Sequence, residues 1–348
     1  MKRKKTLPAD FQEVLERGNV EEIKDILEKC QADAHMPYEK KTALFFADLP
    51  EEIIRYLVTE RGADINQVSE HGETALAEHA CWRPEHVPLF VELGADVNYF
   101  EEFGSAPLHC AAGRFRVEGA KALLEQGADP FITSGWMKDT PMEHLLATCR
   151  NADISAAAEI AGMLLDQGVS VTADMKKEVT RIGTDFEFYK ADFNPDYLDE
   201  TVRGLQKLYG LFSVEPVSER QVYDGESPIV AKANAWQEQH EELWNLLVPG
   251  SGHASTVQGE VIRIIGKLCH EILDNGGMNW DREYRKLVKA LGDYLRMGVP
   301  ASEEVLSLAR QIGVDSDQKQ LYLLNEECVK WVLANPNPIQ LGAVKYRR

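Results

Sequence analysis

The chain has no long apolar run, and this absence bears on where the protein works. Among its 348 residues, no stretch approaches the ~18 consecutive apolar residues that a membrane-spanning helix requires. The basic start, residues 1–5, is followed by Thr-Leu-Pro-Ala-Asp instead of the apolar segment of a signal peptide. We therefore predict a cytoplasmic protein that makes no use of a membrane.

Cysteine is scarce, and its spacing excludes two classes of small domain. The six cysteines are Cys30, Cys81, Cys110, Cys149, Cys269 and Cys328. No two of them form a C-x-x-C pair, which argues against both a disulfide framework and a zinc site. The nine histidines likewise offer no ligand pair with a third donor at suitable spacing. We predict reduced, mostly buried thiols, no metal and no cofactor.

Positive charge is also in short supply. The chain carries 38 Lys and Arg against 57 Asp and Glu, a formal net charge of −19. Such a chain repels phosphates, so nucleic acid is not expected as a partner. The excess is uneven: residues 1–174 hold 17 basic and 31 acidic side chains (net −14), whereas residues 175–348 hold 21 and 26 (net −5).

What the chain does contain is 44% hydrophobic residues, enough for sizeable cores, and an internal repeat. A Thr-Ala-Leu-like triplet recurs at steps of 32, 32 and 34 residues, at 42–44, 74–76, 106–108 and 140–142. A Gly-Ala-Asp series follows the same period at 62–64, 94–96 and 127–129, with a weaker copy at 168–170.

Each repeated residue type has a physical role. Thr at the head of the triplet can cap a helix, and Pro suits the first helical position, where no amide donor is needed. Gly of Gly-Ala-Asp can take the left-handed backbone that ends a helix. Apolar pairs such as Leu123–Leu124 lie between the two motifs. They must bury against a neighbouring repeat, because a single repeat cannot close its own core.

The two series resemble the ankyrin repeat, and the match is best over residues 104–130. The resemblance covers residues 9–172 and implies about five helix-turn-helix repeats, of which the first and last are atypical. An insertion is expected at 149–155, between the helices of the last repeat. Repeat two departs from the family pattern, because Lys40 stands where Gly belongs and Pro50 interrupts the end of its first helix.

The second half of the chain has a helical pattern. Helices are predicted at 173–190 and 195–212, and then at about 235–248, 254–274, 281–296, 302–312 and 318–334. The fold class is all-α, and residues 229–231 are the one candidate for a brief strand. The predicted division is a repeat domain (9–172), a helical cap (173–212), a connector (213–234), a helical C-terminal domain (235–334) and a tail (335–348). The C-terminal part resembles an uncharacterised helical module found behind ankyrin repeats in bacterial proteins.

In the ankyrin family, partners are bound by the hairpin tips and by the inner face of the first helices. Carried over by register, this resemblance nominates Glu70, His71, Glu73, Trp82, Glu102, Phe103, Ser105, Arg114, Trp136, Met137 and Asp139. Aromatic anchors among carboxylates suit a basic partner. The alternative is that Trp82 and Phe103 fold back onto neighbouring repeats and that the acidic side chains are merely solvated.

A polar stripe on the predicted central helix of the C-terminal domain is a candidate catalytic site. Glu260, Arg263, His253 and Glu271 could supply a general base and an anion-holding guanidinium. The alternative is a structural ion pair between Glu260 and Arg263, with His253 a solvated loop residue. The sequence contains none of the common nucleotide-binding, hydrolase or metalloprotease motifs.

The expectation for function is therefore a non-enzymatic bacterial interaction protein whose acidic repeat surface binds a basic protein. One version is an immunity protein that neutralises a basic toxin such as a nuclease. Two alternatives stay open: an enzyme with its site around Glu260 and Arg263, and a scaffold in which both halves bind proteins. The sequence does not assign an oligomeric state.

Overall fold

A computed structural model describes residues 3–101 and 103–348, and the chain folds as two compact units. The first unit comprises Met1–Phe186 and Pro195–Val217, and the second comprises Glu187–Asn194 and Ser218–Arg348.

Pairs of short helices account for most of the first unit. Up to Phe212 the helices are α1 (Phe11–Arg17), α2 (Val20–Glu28), α3 (Glu51–Arg55), α4 (Ala75–Trp82), α5 (Val87–Glu92), α6 (Pro107–Gly113), α7 (Val117–Glu125), α8 (Pro141–Thr148), α9 (Ile154–Asp166), α10 (Ala173–Tyr189) and α11 (Pro195–Phe212). The helix-turn-helix repeat predicted from the two motif series is confirmed.

The motif residues start the helices as their chemistry predicts. The Thr74 side chain accepts a hydrogen bond from the backbone N–H of Ala77 and caps α4. Thr140 caps α8 and forms a reciprocal capping box with Glu143. Gly127, which ends the helix of the best-matching repeat, has φ +85°, a left-handed value that favours glycine.

Stacking of first helices on one another builds the core of this unit. Helix α6 packs against both α4 and α8, and α7 packs against α4 and α9. The leucine that follows the helix start, Leu76 in α4 and Leu108 in α6, is at most 1% exposed. Phe90 and Leu123 on the second helices are fully buried. Each repeat thus contributes half of a core that the next repeat completes.

Buried histidines join successive repeats through polar contacts. Nε2 of His109 lies 2.6 Å from the carbonyl oxygen of Asp139 and therefore donates to it, and Ser134 Oγ lies 2.9 Å from Nδ1. These contacts tie the helix of His109 to the hairpin of the next repeat. Nε2 of His79 donates to the Leu44 carbonyl at 2.9 Å, so its Nδ1 accepts from Nδ1 of His86, also at 2.9 Å.

The all-α fold class is confirmed, with one local addition where the basic start of the chain forms a strand. Lys4–Thr6 (β1) pairs in parallel with Cys30–His35 (β2), which follows α2. The backbone N–H of Leu7 also donates to the His35 carbonyl at 2.9 Å. Composition alone does not predict β1, because its partner β2 lies beyond α1 and α2 in the chain.

Repeat two is irregular, as its sequence predicted. Its first helix is reduced to a 3-10 turn at Ala43–Phe45, and Pro50 immediately precedes α3. In the last repeat, a 3-10 turn at Asn151–Asp153 separates α8 from α9, within the predicted insertion at 149–155. Helix α9 is also longer than the corresponding helices of the preceding repeats, at 13 residues.

The second unit is a helical bundle around one apolar helix. Its helices after the connector are α12 (Trp236–Leu247), α13 (Val257–Cys269), α14 (Arg282–Tyr294), α15 (Glu303–Gln311) and α16 (Gln318–Ala334). Helix α13 packs against α12, α14 and α16, and a wide turn at His270–Asp274 extends it. It is the central helix that its broad apolar distribution predicted.

Two segments of the second unit differ from expectation. Residues 229–231 form no strand, and Ile229 is instead held by one hydrogen bond from its N–H to the Pro336 carbonyl at 2.8 Å. The tail is tied to α13, because the Gln258 side chain donates to the carbonyls of Asn335 and Asn337 and accepts from the N–H of Ile339.

Replacing each of two helical glycines by alanine should change the free energy of unfolding in opposite directions. A Cβ on Gly119 of α7 would overlap the Ala80 carbonyl of α4, whereas Gly210 of α11 faces open space. We expect Gly119→Ala to lower the free energy of unfolding by about 2 kcal/mol through overpacking. Gly210→Ala should raise it by up to about 1 kcal/mol through helix propensity. Urea unfolding followed by circular dichroism measures both, and equal effects would contradict the close packing of α7 on α4.

His79 should make folding acid-sensitive. Burial lowers its pKa from 6.5 to about 4, so between these values the unfolded chain binds a proton that the folded chain does not. The free energy of unfolding therefore has its full contribution from neutral His79 above pH 6.5. It falls as the pH is lowered from 6.5 toward 4, by at most about 3 kcal/mol. His79→Gln keeps a donor for Leu44, so the difference in unfolding free energy between about pH 7 and about pH 4.5 should shrink. His71→Gln, at an exposed histidine, should leave that difference unchanged.

Candidate functional site

The loops between repeats form a row of short hairpins, called here the hairpin row. Its described residues are 36–42, 68–74, 101, 103–106 and 134–139. Three hairpins are closed by an antiparallel bridge, at His35–Thr42, Val68–Thr74 and Ser134–Asp139. Neighbouring hairpins are joined by backbone hydrogen bonds, from Glu101 N–H to the Gly72 carbonyl at 3.2 Å and from Gly135 N–H to the Gly104 carbonyl at 2.9 Å. The row therefore presents side chains from successive repeats on one surface.

Gly104 shows why this row needs glycine. A Cβ at this position would overlap the backbone of Gly72 in the preceding hairpin. The close approach allows the backbone bonds between hairpins and sets their spacing. Glycine is here a packing requirement between repeats, because the φ of Gly104 lies outside the left-handed region.

Two aromatic side chains on adjacent hairpins meet in solvent. Phe103 is 64% exposed and Trp136 is 79% exposed, and their ring centroids lie 5.7 Å apart. Met137, beside Trp136, is 76% exposed. These nominated residues come from two repeats and together form an apolar patch. Each ring contacts the ring of the neighbouring repeat and still keeps more than half of its surface exposed, so the binding interpretation stays a prediction.

Trp82 lies apart from that patch, on the inner face of the first helices. It is 53% exposed, and the guanidinium of Arg116 lies 4.1 Å from the centroid of its ring. Trp82 lines an open groove of about 530 Å³ that also receives Met36, Phe45 and Phe46. The sequence analysis nominated none of these three residues as partner-binding, because repeat two departs from the family pattern. The register from Thr42 could have placed the two phenylalanines on this inner face.

Two of the nominated carboxylates link neighbouring repeats, and a third has a partner in its own repeat. Glu73 forms an ion pair with Arg114 of the next repeat at 3.1 Å, and Asp139 lies 3.0 Å from Nδ1 of His144. Glu70 accepts from the backbone N–H of Lys40 in the neighbouring hairpin at 3.1 Å. Much of the nominated acidic rim therefore has a structural partner already.

Three further residues were nominated as partner-binding. His71 projects from its hairpin with an exposed side chain, and Ser105 is half-buried beside Gly135. Glu102 lies outside the described residues.

Glu260 and Arg263 form a buried ion pair at the start of α13. Glu260 is fully buried and Arg263 is 2% exposed. The guanidinium donates from Nε to one carboxylate oxygen at 2.8 Å and from Nη2 to the other at 2.5 Å. Such a two-pronged pair uses the planar geometry of arginine. Nδ1 of His253 lies 3.0 Å from Arg263 Nη2, so it joins the same cluster.

The tail completes this cluster. The hydroxyl of Tyr346 donates to Glu260 at 2.6 Å, the N–H of Ala254 donates to its second oxygen at 3.0 Å, and Arg263 donates to the backbone oxygen of Arg348 at 2.8 Å. Burial opposes ionisation of Glu260, but the bonds from Arg263 and Tyr346 outweigh it and hold its pKa below the ordinary value. Both carboxylate oxygens therefore accept from more than one donor.

Glu271, the fourth nominated residue, has a separate set of partners. Its carboxylate accepts from the Asn279 N–H at 2.5 Å, the Asn275 side chain at 3.0 Å and the Tyr284 hydroxyl at 3.3 Å. Tyr284 in turn stacks on Trp280, with ring centroids 5.4 Å apart. These bonds organise the turn between α13 and α14, and none of them involves Glu260, Arg263 or His253.

Two classes of site are absent from the described part of the chain. Within residues 3–101 and 103–348, no three His, Cys, Asp or Glu side chains are grouped so that they could hold a metal ion. Over the same residues, no helix combines the length and the apolar character that crossing a bilayer would require.

Comparison with known proteins identifies part of the chain. A family model for ankyrin repeats, in three copies, matches residues 48–134. This segment consists of ankyrin repeats. It contains the hairpins of Glu70 and Phe103 and the start of the 134–139 hairpin, and ankyrin repeats are modules of protein–protein interaction. No curated protein matches the chain. The resemblance of the C-terminal part to a helical module of bacterial proteins stays a prediction.

Removing one partner of the Glu260–Arg263 pair should be costly. Arg263→Met leaves a buried carboxylate without its cation, and we expect the free energy of unfolding to fall by about 3–5 kcal/mol. Lys330→Met removes an exposed pair with Glu326 and Glu327, and should cost no more than about 1 kcal/mol. Urea unfolding of the full chain measures both changes.

A second substitution distinguishes two causes of this destabilisation, the unpaired carboxylate and the lost packing of the arginine side chain. Glu260→Gln in the Arg263→Met background removes the unpaired charge and should recover part of the stability. No recovery would show that arginine packing, and not the buried charge, accounts for the loss.

Proposed function

We propose that the hairpin row binds a basic protein, with Phe103, Trp136 and Met137 at the centre of the interface. The protein acts in this proposal as a non-enzymatic binding partner. The observation that carries it is the pair of exposed aromatic rings contributed by two successive hairpins.

The physical case for this patch is the poor solvation of its side chains. Large aromatic residues usually bury most of their surface, and Trp and Tyr are enriched among the side chains that dominate interface energies. Phe103 and Trp136 are held in contact by hairpins whose backbones are bonded to each other. The patch is therefore ordered before a partner arrives, which lowers the entropic cost of binding.

Charge supports a basic partner. Residues 6–174 contain 13 basic and 31 acidic side chains, a net charge of −18. The pairs of Glu73 and Asp139 with neighbouring groups reduce their individual contributions, but the summed field of the segment still favours a positive partner. In this arrangement the aromatic patch supplies most of the affinity, and the acidic field accelerates association and excludes acidic competitors.

One biological form of this function is immunity to a basic toxin such as a nuclease. An enzyme that binds nucleic acid presents cations spaced for phosphates, and an acidic ankyrin surface can occupy them. The immunity version of the proposal requires that binding also blocks the activity of the toxin.

The aromatic patch provides the direct test. The full chain, used as bait in its native cell type, should retain a basic protein that mass spectrometry identifies. Phe103→Ala with Trp136→Ala should weaken binding of that isolated protein at least about 30-fold, since interface hot spots are worth ~2 kcal/mol or more. Tyr197→Ala, at a tyrosine 59% exposed on α11, should change it less than about twofold.

Two further measurements decide the finer points. Raising salt should weaken binding of the wild-type protein, because screening shortens the reach of the acidic field. If the retained protein is a nuclease, stoichiometric addition of the wild-type chain should abolish cleavage, and the double alanine variant should not. Undiminished binding by the double alanine variant would contradict the proposed interface.

A further inference from the structure

The second unit contains a cleft whose charge is opposite to that of the ankyrin segment. It has a volume of about 600 Å³ and lies between α14 and the end of α15. Four cations line it: Arg285, Lys289 and Arg296 from α14 and the turn after it, and Arg310 from α15. Asp293 is the one acidic side chain among its described lining residues. This part of an acidic chain is therefore locally basic.

Two of these cations have no ion-pair partner among the described residues. Arg296 donates to the Gly292 carbonyl at 2.5 Å and lies 3.5 Å from Asp293, and Arg310 lies 3.6 Å from Glu303. Within residues 3–101 and 103–348, neither Arg285 nor Lys289 has a carboxylate within 4.0 Å. Both side chains are exposed. Their charges are thus available to a ligand.

The spacing of these cations on α14 is unfavourable for the isolated helix. Arg285 and Lys289 are four residues apart, so like charges lie on neighbouring turns of one helix. Such pairs weaken a helix, and a surface needed only for solubility would interleave the two signs. A bound anionic group would relieve this repulsion.

The floor of the cleft is apolar. Trp280, Val288 and Ile312 line it alongside the cations. The ring of Trp280 stacks on Tyr284 at a centroid distance of 5.4 Å and an interplanar angle of 14°, which fixes its orientation. The cleft therefore combines a preformed apolar surface with cations at its edge, the composition expected of a site for a ligand with both apolar and anionic groups.

We propose that this cleft binds an acidic peptide segment of a partner protein. An apolar side chain of the segment lies against Trp280 and Val288, and flanking carboxylates lie beside Arg285 and Lys289. A nucleic acid is less well matched, because the net charge of −19 repels a phosphate backbone, which carries a charge on every nucleotide. The site is independent of the ankyrin surface, whose proposed partner is basic.

A peptide selection tests the proposal with a library in place of an identified partner. The probe is a phage library of random peptides of about 12 residues, long enough to cross a cleft of this size, selected on the immobilised full chain. Wild-type protein should enrich peptides in which Asp or Glu flank a large apolar residue. Selection on the double variant Arg285→Glu with Lys289→Glu should no longer enrich these acidic peptides. Synthetic copies of the enriched peptides should bind the double variant at least about tenfold more weakly than wild-type protein, as measured by fluorescence anisotropy.

A matched variant controls for net charge. Lys232→Glu with Lys319→Glu makes the same charge change at two exposed lysines of the same unit that do not line the cleft. It should keep the acidic peptide class and bind its members within about twofold of wild type. Circular dichroism and thermal unfolding establish that both double variants are folded.

Three outcomes would overturn the proposal. The first is selection that enriches no acidic peptides on wild-type protein. The second is equal loss of acidic peptides on both double variants, which would mark a diffuse charge effect. The third is tighter binding of a labelled single-stranded DNA of about 20 nucleotides than of the selected peptides, together with loss of that DNA binding on Arg285→Glu with Lys289→Glu. This result would assign the cleft to nucleic acid.

Discussion

The first unit depends on the close contact between one repeat and the next. No repeat buries its own apolar face, so Leu76 and Leu108 are covered only because α4, α6 and α8 stack in order. The same stacking brings the backbone of Gly104 against that of Gly72, which joins the hairpins into a row. The exposed pair of Phe103 and Trp136 is a consequence of that spacing. Core packing and the candidate binding surface therefore have one physical cause.

Buried polar groups give both units a specific register. His109 links its own helix to the next hairpin through the Asp139 carbonyl, and the bond exists only in one alignment of the two repeats. In the second unit, Glu260 and Arg263 gather the tail onto α13. Unpaired, either charge would be costly to bury, so the cluster favours the single arrangement in which all donors find acceptors. Each carboxylate oxygen of Glu260 accepts from Arg263 and from at least one further donor in this arrangement.

The repeat half of the chain and the cleft of the second unit differ in the sign of their charge. Acidic residues dominate residues 6–174, and Glu70 and Glu73 contact a neighbouring repeat. The rings of Phe103 and Trp136 are exposed on the same row of hairpins. The second unit places cations beside an apolar floor. Because association of opposite charges is fast and that of like charges is disfavoured, two such surfaces would select different partners.

The repeat could be predicted from the residues alone, because its period appears in positions whose local roles are strong: Thr74 caps a helix and Gly127 ends one. Helices α10 to α16 were also located closely, since helical periodicity is a local property. Long-range packing decided the rest. The pairing of β1 with β2, the groove beside Trp82 and the partners of Glu260 join residues far apart in the chain, up to Tyr346. Local pattern carries no information about which distant group completes a hydrogen bond or covers an apolar face, and only the folded chain supplies it.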